Sequence, residues 1–167
     1  ATSYTLAQGI KLIGSADLII CGKQTTDGDT AQVGPEIAEN LKIPHLCYVD
    51  KIIEIKEKSI VVQVDMDSTE EVWEIDYPCL ITVNKGIFTP RLPSYRRSKK
   101  FKDYEIRQIH FSDMVDQNEA HYGLKGSPTQ VERMFPPIKN TDKELWEDTD
   151  ENLALKLSNK LKEMKVV

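Results

Sequence analysis

Asp17-Leu18-Ile19-Ile20-Cys21-Gly22-Lys23-Gln24-Thr25-Thr26-Asp27-Gly28-Asp29-Thr30-Ala31-Gln32-Val33-Gly34-Pro35 is the stretch whose reading decides the fold. Residues 17–21 form a short apolar run without polar alternation, which reads as a fully buried parallel strand. The polar, glycine-bearing residues that follow end the strand. Pro35 suits the first turn of a helix, where a missing N–H costs little, and the pattern predicts a helix from Val33 to Leu41. Strand, loop and helix in that order are the unit of open α/β sheets, which take ligands outside the carboxyl ends of their strands.

Upstream, Leu6, Ile10 and Ile13 recur at helical spacing, with Ser3 as the expected N-cap. A helix that feeds a buried parallel strand normally follows another strand, completing a βαβ unit. We therefore expect a strand before Ala1, the alternative being a helix-first fold with its Met removed. Downstream, Ile43–Val49 reads as a second parallel strand. Residues 52–55, 59–66 and 72–77 are β-branched and alternating, as in antiparallel ribbons appended to the sheet, with a turn at 56–58. The connection Asp65–Glu71 carries no glycine, so no tight turn is specified there. Cys79–Val83 reads as a short buried strand and Ile106–Phe111 as a last one.

From Ser112 the chain reads as extended, broken by Gly123, Gly126, Pro128, Pro136 and Pro137. Residues 112–140 form either an arm that wraps a neighbour, presenting Val131, Met134 and Phe135, or a disordered linker. A terminal helix is predicted over 148–164, with Leu153, Leu157, Leu161 and Met164 on one stripe. The expected fold is α/β: a Rossmann-like doubly wound sheet of the adenine-nucleotide hydrolase-like kind, N-terminally truncated, with antiparallel additions. We expect one domain over residues 1–111 and an arm plus helix over 112–167.

A net charge of −5 over 167 residues argues against nucleic acid as the main partner. No apolar stretch approaches the ~20 residues of a membrane helix, and no signal peptide is visible. Cys21, Cys47 and Cys79 lack metal-ligand spacing and read as buried free thiols of a reducing compartment. A cytoplasmic location follows as the expectation. His45, His110 and His121 are far apart and form no metal motif, so no metal is expected. Trp73 and Trp146 read as packing residues.

The loop matches neither the Walker A pattern nor G-x-G-x-x-G, so spacing alone leaves it a turn or a binding loop. Gly22 and Gly28 would supply positive φ and close backbone approach. Thr25, Thr26 and Thr30 offer hydroxyls, and the helix start near Val33 presents N–H groups suited to phosphate. Asp27 and Asp29 repel phosphate; they brace the loop, or one meets a ribose hydroxyl.

The run Cys21–Pro35 resembles the nucleotide-binding segment of electron-transfer flavoprotein β-subunits, with Gly-Lys-Gln, two residues, an acidic cluster, then Gln and Gly. Cys79–Val83 with Pro90-Arg91 resembles the family's strand and Pro-Arg loop, and Gly123–Thr129 its C-terminal arm. Ala1–Ala7 is similar to a segment of the electron-bifurcating branch. The resemblance implies that Gly22, Lys23, Gln24, Thr25, Thr26, Asp27, Gly28, Asp29, Thr30, Ala31, Gln32 and Val33 bind FAD, or alternatively AMP. It implies that Thr2 and Thr5 lie near a flavin ring, against the plainer reading of helix capping and a surface threonine. It further implies an electron-transfer flavoprotein α-subunit as partner. A second partner follows, an acyl-CoA dehydrogenase-type or other flavin dehydrogenase, which exchanges electrons with the pair. The basic run Arg91–Lys102 reads by pattern as a solvated face. By resemblance it docks the dehydrogenase through Arg91, Leu92, Tyr95 and Arg96, with Tyr95 as the apolar anchor. An ATP-using enzyme on the same sheet is the alternative function.

Overall fold

The computed structural model describes residues 1–66, 68–136 and 143–166. Asp67 in the connection between ribbons, and residues 137–140 of the expected arm, lie outside them. The chain divides into two compact bodies, Ala1–Gln130 and Val131–Val167.

The first body is built from α1 (Thr2–Ile13), β1 (Leu18–Gly22), α2 (Val33–Leu41), β2 (His45–Ile55), β3 (Ser59–Asp65), β4 (Glu70–Asp76), β5 (Cys79–Val83) and α3 (Tyr95–Lys100). The five strands form one sheet in the order β1-β5-β2-β3-β4. β5 lies between β1 and β2 and runs parallel to both. β2, β3 and β4 pair antiparallel. The expected α/β architecture with antiparallel additions is therefore present.

The parallel strand and the first ribbon are not separate elements. β2 runs unbroken for 11 residues, pairing with β5 in its first half and with β3 in its second. Register shifts between Leu46 and Val49 and between Val49 and Lys51 let one strand serve both partners. The hairpin after β3 closes despite its lack of glycine, with the Met66 N–H donating to Thr69 O at 2.9 Å.

The core has two parts. Val49, Ile60, Val62, Val64, Ile75, Cys79 and Ile81 fill one, under the antiparallel half of the sheet. Ile37, Ala38 and Leu80 form the other, where α2 lies on β5. Each fully buried side chain of this size contributes roughly 1.5–3 kcal/mol. Gly34 sets the approach of α2: a Cβ there would sit 2.5 Å from Thr82 Cγ2.

Several expectations are corrected. β1 is a sheet edge among the described strands, not a buried strand, and Ile20 is 56% exposed. The Leu6 and Ile13 stripe of α1 is exposed; the helix packs on α2 through Ser3 and Ala7, whose small side chains allow close approach. Ser3 is not the N-cap, which is Ala1; the Ser3 hydroxyl points inward and donates to Glu36 Oε2 at 2.7 Å. Residues 106–110 form no strand, and Phe111 begins a 3-10 turn whose ring meets Tyr122 at 5.1 Å. Of the three thiols only Cys79 is buried; Cys21 and Cys47 are partly exposed. Trp73 is half exposed on β4, where Nε1 donates to Glu71.

The second body carries α4 (Asp150–Glu163), whose N-cap is Thr149. Lys160 pairs with Glu144 at 3.0 Å, and Lys156 lies 4.8 Å from the centre of the Trp146 ring. Leu157 and Met164 remain more than half exposed.

Candidate functional site

β1, β5 and the first half of β2 point their carboxyl ends the same way, and the Gly22–Val33 loop leaves β1 at that end. The Lys23 N–H donates to Val83 O at 3.0 Å, extending the β1–β5 ladder by one residue before the loop departs. A tight turn follows: the Asp29 N–H donates to Thr25 O at 3.2 Å and the Gly28 N–H to Thr25 Oγ1 at 3.4 Å. Hydrogen bonds from the Thr25 hydroxyl and from the amides of Asp27 and Gly28 hold the Asp27 carboxyl below its usual range. The Asp29 carboxylate accepts from Gln24 Nε2. Both acids are thus engaged by the loop itself.

The expected positive φ is not carried by the glycines. Asp29 at φ 52° and Ala31 at φ 54° take the left-handed conformation, while Gly22 and Gly28 do not. Asp is among the residues that tolerate it, by hydrogen-bonding locally. Ala31 is followed by Gln32 at φ −91° and ψ −26°, in the right-handed region. A left-handed residue beside a right-handed one turns successive N–H groups into one concavity, a geometry suited to anions. That concavity opens at the start of α2. Among the described residues the amides of Thr30, Ala31, Gln32, Val33 and Gly34 donate no hydrogen bond.

A cavity of about 400 Å³ lies beside the loop, lined by Lys23, Gln24, Asp29, Thr30, Ala31, Tyr48, Asp65 and Met66. Its size falls within the range of small-molecule clefts. The structure therefore gathers five of the expected loop residues into the lining. Gly22, Thr25, Thr26, Asp27, Gly28, Gln32 and Val33 belong to the same loop but do not line it. Tyr48, Asp65 and Met66 were not foreseen. They come from the β2 bulge and the β3–β4 hairpin, and a tyrosine inside a strand gives no local signal of facing a loop that precedes α2.

This chain belongs to the electron transfer flavoprotein family. The electron transfer flavoprotein domain profile matches residues 1–109. The chain is 40% identical to the Caffeyl-CoA reductase-Etf complex subunit CarD of Acetobacterium woodii, over all of this chain and 63% of that protein. It is 38% identical to the electron transfer flavoprotein subunit beta of Megasphaera elsdenii, over 91% of this chain and 58% of the relative. It is 36% identical to Protein FixA of Sinorhizobium fredii, over 96% of this chain and 59% of the relative. The chain thus spans about 60% of the length of these relatives.

Thr2 and Thr5 of this electron transfer flavoprotein chain sit in the first turn of α1 and do not line the cavity. The Thr5 hydroxyl donates to Ala1 O at 2.9 Å. Between them, Tyr4 donates to Asp116 Oδ2 at 2.5 Å, and His121 Nδ1 lies 2.5 Å from the same oxygen. A second cavity of about 450 Å³ beside Tyr4 is lined by Ala120, His121 and 125–128. The segment 91–102 is exposed throughout, with Leu92 at 92% and Tyr95 at 83%. Ser94 caps the short helix α3, its hydroxyl accepting from the Arg97 N–H at 3.3 Å. This helix displays Arg96, Arg97, Lys99 and Lys100 around Tyr95. Among the described residues no three His, Cys, Asp or Glu side chains gather as metal ligands, and no helix is long and apolar enough to cross a membrane.

Proposed function

We propose that this chain is the β-subunit of a heterodimeric electron-transfer flavoprotein. In this reading it binds an adenine nucleotide, FAD or AMP, and serves electron passage between NADH or dehydrogenases and acceptors. The observation that carries the reading is the set of unpaired amides from Thr30 to Gly34, arranged as an anion-binding concavity beside the cavity at the strand ends. Such amides bind phosphate without needing a cationic side chain, and α2 adds the positive end of its dipole. Lys23 supplies an ammonium in the cavity lining. The Asp29 and Asp65 carboxylates at the cavity wall suit ribose hydroxyls rather than phosphates.

A bound flavin would supply the redox chemistry, and the chain's residues would bind and orient it. The likeness of Ala1–Ala7 to the bifurcating branch favours FAD; the α1 threonines then lie at the same end of the sheet, since Ser3 bonds Glu36 in the first turn of α2. The exposed basic helix α3, with Leu92 and Tyr95 at its start, has the composition of a docking site for an acidic partner: charge steers the approach and the ring anchors it. The exposed Val131, Met134 and Phe135 suit an α-subunit contact.

The test is to denature the purified full chain, with any subunit that co-purifies, and to measure the mass and absorbance of the released nucleotide. FAD or AMP in stoichiometric amount supports the reading. Release of neither, or pyrophosphate production from ATP, overturns it.

A further inference from the structure

Residues 111–127 fold on themselves and touch the preceding elements through one side chain. Their backbone bonds are local: the Met114 N–H donates to Phe111 O at 3.1 Å, the Tyr122 N–H to Glu119 O at 3.2 Å and the Gly126 N–H to Tyr122 O at 3.1 Å. The last turn is tight enough that a Cβ on Gly126 would run into the His121 carbonyl. No residue of the segment is buried, and Val115 and Leu124 are largely exposed. Little apolar burial therefore holds it down. Among the described residues, the hydrogen bond and ring contacts that join it to α1 all come from Tyr4. The Tyr4 hydroxyl donates to Asp116 Oδ2 at 2.5 Å, and its ring meets His121 at 5.5 Å and Tyr122 at 5.4 Å edge-on.

The receiving end is prepared within the segment. Asn118 Oδ1 accepts from the Ala120 N–H at 3.1 Å, which turns Asn118 Nδ2 toward His121 Nε2 at 3.4 Å. Nε2 is then the acceptor, so Nδ1 carries the proton and donates to Asp116 Oδ2 at 2.5 Å. The Asn118 N–H donates to Asp116 Oδ1 at 2.9 Å. The Asp116 carboxylate is thus aimed by its own turn, and its bond to Tyr4 is the one that leaves the segment.

We propose that Tyr4 and Asp116 form a latch that holds the 111–127 segment on α1 as a detachable unit. Closed, the latch fixes where the chain approaches the end of this body at Gln130; open, the segment swings free while the sheet stays folded. A unit with its own turns and one point of attachment opens locally rather than with the global fold. A hydrogen bond to an ionised carboxylate is strong enough to govern that opening.

Amide hydrogen exchange of the full chain, with any subunit that co-purifies, tests this. The amides to follow are those of Tyr122 and Gly126, whose acceptors lie within the segment and are backbone atoms that the substitutions leave in place. Tyr4→Phe keeps the ring and removes the hydroxyl; it should speed exchange at both amides about ten-fold, while Leu80 and Ile81 in β5 exchange as before. Asp116→Ala should do at least as much, and adding Tyr4→Phe to it should give no further increase, since the latch is already open. Nitrogen shifts of the His121 ring in the unaltered chain should show a proton on Nδ1, and circular dichroism checks that the variants fold. Unchanged exchange in Tyr4→Phe, an equal rise at Leu80 and Ile81, a further increase in the double variant, or a proton on Nε2 alone would each overturn the latch.

Discussion

Gly34→Ala tests how α2, and with it the row of free amides, is seated on the sheet. The added Cβ would lie 2.5 Å from Thr82 Cγ2, where ordinary contacts begin near 3.4 Å. Thr82 cannot retreat: it is 1% exposed, with Leu80 and Ile81 beside it fully buried. Overpacking a tight core costs about 1–3 kcal/mol, and an approach of 2.5 Å belongs to the upper part of that range, about 2–3 kcal/mol. Alanine returns up to ~1 kcal/mol through helix propensity, which leaves a net loss of about 1–2 kcal/mol. With a urea dependence of roughly 2 kcal/mol per molar, the unfolding midpoint should fall by about 0.5–1 M. Far-ultraviolet circular dichroism in urea measures it. Thr82→Ser sharpens the test, because it removes the clashing methyl and keeps the hydroxyl that accepts from Tyr48. The double variant should recover most of what Gly34→Ala loses, a favourable coupling in a double-mutant cycle. Unchanged stability of Gly34→Ala, or no recovery with Thr82→Ser, would refute this account of the packing.

Asp27→Asn should weaken nucleotide binding roughly three- to ten-fold by loosening the turn its carboxylate braces, and Thr30→Ala by a similar factor; titration with AMP and FAD checks this, and unchanged affinity in both variants takes the loop out of the site. Tyr95→Ala should slow reduction by a partner dehydrogenase while nucleotide affinity stays as it was, so equal loss of both would remove Tyr95 as an anchor. The Tyr4–Asp116 contact titrates at both extremes. The bond from Tyr4, then that from His121, holds Asp116 at about 2, below its ordinary 3.8, so its contribution is complete above 3.8 and is lost as pH falls through 2. The same contact raises Tyr4 from 10.0 to about 12, so its contribution is complete below 10 and lost as pH rises through 12. Ultraviolet titration should therefore show a tyrosine ionising near 12 that returns toward 10 in Asp116→Asn; an unaltered curve would show that the bond does not govern it.

Local chemistry made part of this molecule legible. Leu18–Cys21, the loop and Pro35 announce a strand, a turn and a helix start, because each depends on neighbours within a few residues. The candidate loop was visible for the same reason. Ser3 misled because a hydroxyl near a helix start can cap it or bond elsewhere, and only Glu36 on α2 decides. Ile106–Phe111 misled because alternation signals a strand only if a sheet edge receives it. Gly22 and Gly28 misled because glycine permits positive φ without requiring it, whereas the turn at Thr25 forces it on Asp29 and the approach to α2 on Ala31.

By itself, the order of residues determined that an α/β sheet forms and that a polar loop stands at the end of its first strand here. Tertiary structure alone decided what faces that loop. β5 arrives between β1 and β2 from more than 30 residues beyond β2's start, and its Thr82 and the adjoining Asn84 fasten the bulge that turns Tyr48 inward. Pairing between strands distant in the chain is governed by packing over the whole sheet. No short run of sequence carries that information, and so the loop could be read in advance while the opposite wall of its cavity could not.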